Sequence, residues 1–152
     1  MAKNLVNIMD YRYLVTPFLA WLIAGVLKFL INSARSKCWE FRQVGYGGLP
    51  SNHSAIVSSA ASLVALQEGV DHPAFGVAVA FAFIVILDAS SLRRQVGKHA
   101  EAINCIVEKQ TEKIIGYKLR ERMGHTPIEI GAGIIVGFSV AWAVNWSYGL
   151  FL

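Results

Sequence analysis

Residues 130–152 read IGAGIIVGFSVAWAVNWSYGLFL, 23 positions without a formal charge. A run of this length and polarity is enough to cross a bilayer as a helix. Trp142, Trp146 and Tyr148 lie towards its end, as in the aromatic belt that anchors a span at the membrane–water boundary. The remainder of the chain is consistent with that setting. Hydrophobic residues make up 55% of the 152 residues and charged residues 16%, and the mean hydropathy is +0.46. These values lie outside the range of ordinary soluble domains. They predict one all-α domain over residues 1–152, an integral membrane bundle of about four transmembrane helices plus an amphipathic helix at the interface.

Three further apolar segments precede this one. Residues 14–31 are apolar except for Thr16 and Lys28, and predict a first span with Pro17 in its first turn. Residues 51–67 predict a second helix, started by Pro50 and capped by Ser51 or Asn52. Its small residues (Ala55, Ser58, Ser59, Ala60, Ala61, Ser62) allow close helix approach in lipid, and its shortness predicts a place inside the bundle. Residues 74–87 form a third apolar run ending at Asp88, long enough to span if 89–92 are added. Between the spans, residues 32–48 predict a loop with room for a short interfacial helix.

Net charge is +4, and residues 93–122 carry all of the excess. Within this basic segment Ile103, Val107, Ile114 and Tyr117 recur near helical spacing, which predicts the interfacial helix, though Gly116 weakens the pattern. A basic stretch between apolar ones points to an anionic membrane face, and no aromatic interleaving or groove-reading motif favours nucleic acid. Eleven Lys/Arg fall on one side of the four-span topology and two on the other. The positive-inside rule places the basic side in the cytoplasm, with Lys3 and Arg12 weighing against it. Cys38 and Cys105 are isolated, which predicts free thiols rather than a disulfide or zinc site. No cleavable signal peptide is expected.

The same topology gathers the reactive residue types at one membrane face. Lys28 and Arg35 end the first helix; Ser51 and His53 open the second, after Gly47-Gly48-Leu49-Pro50. Asp88, Arg93 and Arg94 follow the third, and His125 and Glu129 open the last. Ionisable groups near membrane depth are costly and usually face a bundle interior. Lys and Arg clamp phosphate oxygens, and two imidazoles can divide the work of nucleophile and general acid. Glu129, close after His125, is placed to hold its tautomer. Each residue also has a plainer reading. Lys28 can snorkel, Arg35 can be a solvated loop residue, and Arg93 and Arg94 can be topology determinants. Asp88 can cap a helix, pair with an arginine or, with Glu129, hold magnesium. His72 and His99 look solvated.

At these residues the chain resembles the divergent branch of the type 2 phosphatidic acid phosphatase (PAP2) family, related to acid phosphatases and vanadium haloperoxidases. That superfamily carries Lys-x6-Arg-Pro, Pro-Ser-Gly-His and Ser-Arg-x5-His-x3-Asp. Here Lys28-x6-Arg35 is followed by Ser36, Pro50-Ser51-Asn52-His53 has asparagine for glycine, and His125-x3-Glu129 has Glu for Asp. Leu119 stands where the third motif has arginine, leaving Arg120, Arg93 or Arg94 to replace it. The resemblance implies that His125 attacks phosphorus, His53 protonates the leaving alkoxide and Glu129 orients His125. It implies that Lys28, Arg35 and one or both of Arg93 and Arg94 hold the phosphoryl oxygens with Ser51 and nearby backbone N–H groups, and that no metal or other cofactor is needed.

The expected activity is therefore a lipid phosphatase acting at the cytoplasmic face, with a phospholipid and the membrane as partners and self-association open. Phosphatidylglycerol phosphate is the first substrate expected there, because that lipid is made on that face, and phosphatidic acid the next. An isoprenoid pyrophosphate would usually need the opposite face. The altered third motif also motivates a non-catalytic membrane protein that binds anionic lipid. A channel or transporter is the weaker reading, because few polar residues line the third and fourth helices.

Overall fold

The computed structural model describes residues 10–36, 48–109 and 117–149. The expected loop helix within 32–48, Cys38, and Ile114 and Gly116 of the amphipathic pattern lie in whole or part outside these residues. So do the last three residues of the final apolar run. Five α-helices occur among the described residues: α1 (Arg12–Ser36), α2 (Asn52–Glu68), α3 (Pro73–Leu87), α4 (Arg93–Glu108) and α5 (Pro127–Gly149). A π-helical turn, Asp88–Leu92, joins α3 to α4.

Three helical stretches among these residues are long and apolar enough to cross a bilayer: Arg12–Ala34, Pro73–Glu108 and Pro127–Tyr148. Three stretches meet this criterion where about four spans are expected, and α2, at 17 residues, is too short to be a fourth. α2 instead forms the centre of the bundle, packed against α1, α3 and α5. Ser54, Ala55, Val57, Ser58, Ser59, Ala61 and Leu63 are all buried along it. A helix buried on nearly every side needs no amphipathic stripe, and this one has small residues all round. α3 is the reverse, with no buried residue. Val77, Phe81, Phe83 and Ile84 project outward from it, as expected where the surrounding solvent is hydrocarbon.

Two glycines on α5 set the depth of the core. A side chain at Gly133 would collide with the backbone around Ser51 and Ala55, and one at Gly137 with Ser58, Ala55 and Ser59. The Gly-x3-Gly spacing lets α5 lie directly on α2, the arrangement that drives helix association in lipid. The serines at this contact satisfy themselves locally. Ser59 Oγ donates to the Ile56 carbonyl at 2.8 Å, and Ser58 Oγ donates to the Ser54 carbonyl.

Side-chain ties fix the direction of the helices. At one end, Tyr13 Oη donates to Glu68 Oε1 at 2.6 Å, and the Arg12 guanidinium lies 4.0 Å from the Tyr148 ring centre. Gln67 also bonds Asn145 there. The start of α1 and the ends of α2 and α5 therefore meet at one end. The second half of α1 and the starts of α2 and α5 meet at the other. α1 begins two residues earlier than the apolar run, which places Pro17 inside the helix rather than in its first turn. The ring there removes one N–H from the helical ladder.

The amphipathic helix differs from expectation. It ends at Glu108 and is continuous with α3, giving a helix of 36 residues from Pro73 to Glu108. At 1.5 Å per residue this is about 54 Å, well beyond the ~30 Å hydrocarbon layer. The charged half, α4, continues from α3 instead of forming a separate helix. Tyr117 is not helical. Residues 117–126 run back against α4, where Gly97 leaves room for the backbone of Glu121.

Candidate active site

Three local structures build the site. The first is the start of α2. Ser51 is fully buried, and its Oγ accepts from the Ser54 N–H at 3.3 Å and the Ser54 hydroxyl at 3.1 Å. It is an N-cap by geometry as well as by sequence. Asn52 and His53 follow in the first turn.

The second is the start of α5. Thr126-Pro127-Ile128-Glu129 is a capping box with proline at the first helical position. Glu129 N–H donates to Thr126 Oγ1 at 3.3 Å, and Thr126 N–H donates to Glu129 Oε2 at 3.1 Å. The same carboxylate oxygen lies 3.1 Å from His125 Nδ1. A carboxylate only accepts, so Nδ1 carries a hydrogen, which in the neutral imidazole leaves the lone pair on Nε2. His125 is buried at 8% exposure, which shields this pair from water.

The third is the π-helical turn. Arg93 N–H reaches the Asp88 carbonyl, five residues back, and the Ala89 carbonyl accepts from His125 N–H at 2.9 Å. Such turns often occur at functional sites because they release a helical carbonyl. Gly124, with φ +87°, makes the approach, and a Cβ there would lie 3.0 Å from Arg94 N. A second backbone bond, Ser51 N–H to the Glu129 carbonyl at 2.9 Å, joins the starts of α2 and α5.

These contacts bring His53 and His125 together with ring centres 5.8 Å apart and planes inclined at 55°. Both line a cavity of about 250 Å³ with Trp21, Lys28, Asn52, Ile56, Arg93, Arg120, Met123 and Gly124. Burial holds the His53 imidazole below its ordinary value of 6.5, helped by the nearby Arg93, His125 and Lys28 and opposed by Asp88. Arg93 is oriented by Asp88, Nε to Oδ2 at 3.0 Å.

Of the residues singled out from sequence, His53, His125, Lys28 and Arg93 line this cavity, and Glu129 bonds a residue that does. Asp88 pairs with Arg93, and Glu129 is bonded to His125 and Thr126. Ser51 contributes a cap and a backbone bond rather than a cavity wall, and Arg94 lies outside the lining. The side chain of Arg35 lies outside what the structure describes.

Arg120 was one of three arginines able to replace the one absent at Leu119, and it lines the cavity. Its placement depends on a residue that sequence reading passed over. Buried Asn104 on α4 pairs with the backbone of Leu119 in both directions, at 2.8 and 2.9 Å, and donates to Glu121 Oε1 at 2.9 Å. That bond and Lys118 hold the Glu121 carboxyl below its ordinary value. Asn104 thus fixes the segment that carries Arg120 into the cavity. No local sequence signal marks this pairing.

A family model described as the Divergent PAP2 family matches residues 9–140. The chain is also 35% identical over 138 residues to YuiD, an uncharacterized membrane protein of Bacillus subtilis (strain 168), covering 82% of this chain and 87% of the relative. No solved structure matches. The chain is a membrane protein belonging to the Divergent PAP2 family.

Proposed function

We propose that the protein is a metal-independent lipid phosphatase that acts through a phosphohistidine, with phosphatidylglycerol phosphate as its best-fitting substrate. The observation that carries the reading is the pairing of His53 and His125 at 5.8 Å over a cavity lined by Lys28, Arg93 and Arg120. Phosphoryl transfer needs positioning and distributed positive charge more than elaborate covalent machinery.

The chemistry follows from the tautomer of His125. Its Nε2 lone pair forms a bond to phosphorus as the bond to the leaving alkoxide oxygen breaks. His53 gives its proton to that oxygen. Glu129 stabilises the positive charge that develops on His125. Water then attacks the phosphohistidine, His53 takes its proton, the P–N bond breaks and inorganic phosphate leaves. Burial and the neighbouring cations favour neutral His53. A bound phosphate brings negative charge beside it, which restores the proton that the first step requires.

An apolar cavity of about 320 Å³, lined by Pro17, Phe18, Trp21 and Ile56, shares Trp21 and Ile56 with the polar one. A phosphate in one and an alkyl chain in the other make a single amphiphile, which supports a lipid over a soluble ester. The described parts of the basic segment, 93–109 and 117–122, adjoin the site end of the bundle, which supports a cytoplasmic active face. Purified protein is expected to release phosphate from phosphatidylglycerol phosphate in the presence of chelator. His125→Ala and His53→Ala abolish that release. Binding of anionic lipid with no turnover would instead favour the non-catalytic reading.

A further inference from the structure

Asn52 stands where the superfamily motif has glycine, so its side chain is an addition to the cavity wall. Its Oδ1 is buried and has no hydrogen-bond partner, although Asn52 lines the same cavity as Lys28, His53, Arg93, Arg120 and His125. Leaving a carbonyl oxygen dry and unpaired costs free energy. A cavity made only for a phosphoryl group has no use for it. Phosphate dianions carry acceptors alone, and a second acceptor facing them repels. The oxygen therefore calls for a donor on the ligand close to the phosphoryl group.

We infer that Asn52 Oδ1 accepts a hydrogen bond from a hydroxyl of the substrate headgroup beside the phosphoryl group. The ligand class is a hydroxylated, polyol-type phosphomonoester, and Asn52 selects it over a phosphomonoester without that hydroxyl. This rests on the phosphatase reading for the identity of the site, but its consequence is a binding preference that needs no turnover. Selection of this kind is strong because the ligand lacking the hydroxyl leaves a buried acceptor unpaired.

The test uses two non-hydrolysable phosphonates with the same acyl chains. One is an analogue of phosphatidylglycerol phosphate that keeps the central hydroxyl of the headgroup glycerol. The other has a propanediol linker in its place. Equilibrium binding to the purified full chain is expected to favour the hydroxylated phosphonate by roughly tenfold or more. In Asn52→Gly the ratio should collapse to near one. Equal affinity in the wild type overturns the inference without any variant, as does a ratio that survives in Asn52→Gly. Loss of both ligands together in Asn52→Gly also overturns it, since the amide would then be holding the phosphoryl group. The same pair without acyl chains separates two sources of the hydroxyl. A preference in either pair supports the contact, and confinement to the acyl-bearing pair assigns it to a lipid headgroup. Phosphate release from phosphatidylglycerol phosphate, measured alongside, tests the phosphatase reading separately.

Discussion

The backbone N–H of Ser51 donates to the carbonyl of Glu129 at 2.9 Å, and this bond sets the geometry of the site. Ser51 is two residues before His53, and Glu129 is four residues after His125. One backbone bond between the first turns of two helices therefore holds both imidazoles in register. Most of the catalytic arrangement proposed above rests on rigid helix starts, which place side chains more accurately than loops do.

Glu129 has two jobs that a substitution separates. Glu129→Gln keeps the capping box, since glutamine serves at that position too. It removes the charge that stabilises a protonated or phosphorylated His125. We expect kcat to fall by roughly a hundredfold or more, with KM and thermal stability near wild type. Steady-state kinetics and a melting curve in detergent check this.

Gly137 is expected to tolerate nothing larger. Gly137→Leu forces α5 away from Ala55, Ser58 and Ser59, and overpacking of this kind costs about 1–3 kcal/mol. Thermal unfolding in detergent should show the loss. Gly131→Leu, on the same helix with nothing within 4 Å, should melt near the wild-type temperature.

His53 makes stability depend on pH. Its folded-state pKa lies below the ordinary value of 6.5, so the folded state binds fewer protons than the unfolded state around that pH. The contribution is fully present above about 6.5 and is lost as pH falls through the lower folded value. His53→Gln should flatten this part of the profile. Nuclear magnetic resonance of labelled histidine should find the His53 midpoint below that of a free imidazole, and addition of inorganic phosphate should move it upward.

Asn104 gives a positioning test. Asn104→Leu removes the pairing with Leu119 and loosens the segment that carries Arg120. KM for the phospholipid should rise more than kcat falls, and Asn104→Gln should recover little because its longer arm shifts the paired amide. Arg120→Ala in the Asn104→Leu background should add less than it does alone.

Much of this was legible in the sequence for identifiable physical reasons. Residues 130–152 announce a helix because nothing in them resists hydrocarbon, and Thr126-Pro127-x-Glu129 announces where it starts. Pro50-Ser51 does the same for α2. In both cases the residues that begin the helix adjoin the histidine, although only the cap at Ser51 was read from the sequence. Gly133 and Gly137 also carried a readable signal, the Gly-x3-Gly spacing, which was passed over. The end of α4 was not legible, because Tyr117 continued the apolar rhythm although its backbone lies apart from the helix. The π-helical turn and the Asn104–Leu119 pairing depend on contacts between segments, which no local pattern encodes. For the same reason the sequence could not choose among Arg93, Arg94 and Arg120. Cavity membership separates the first and third from the second only once 117–126 folds back over Gly97.

The central claim is that His125 takes the phosphoryl group while His53 serves the leaving oxygen. Rapid quenching of the purified chain during turnover of a phosphate-labelled phosphatidylglycerol phosphate tests it most directly. The account predicts an acid-labile, base-stable label on the peptide containing His125, absent in His125→Ala and formed far more slowly in His53→Ala. Full turnover by His125→Ala, or label on any other residue, would contradict it.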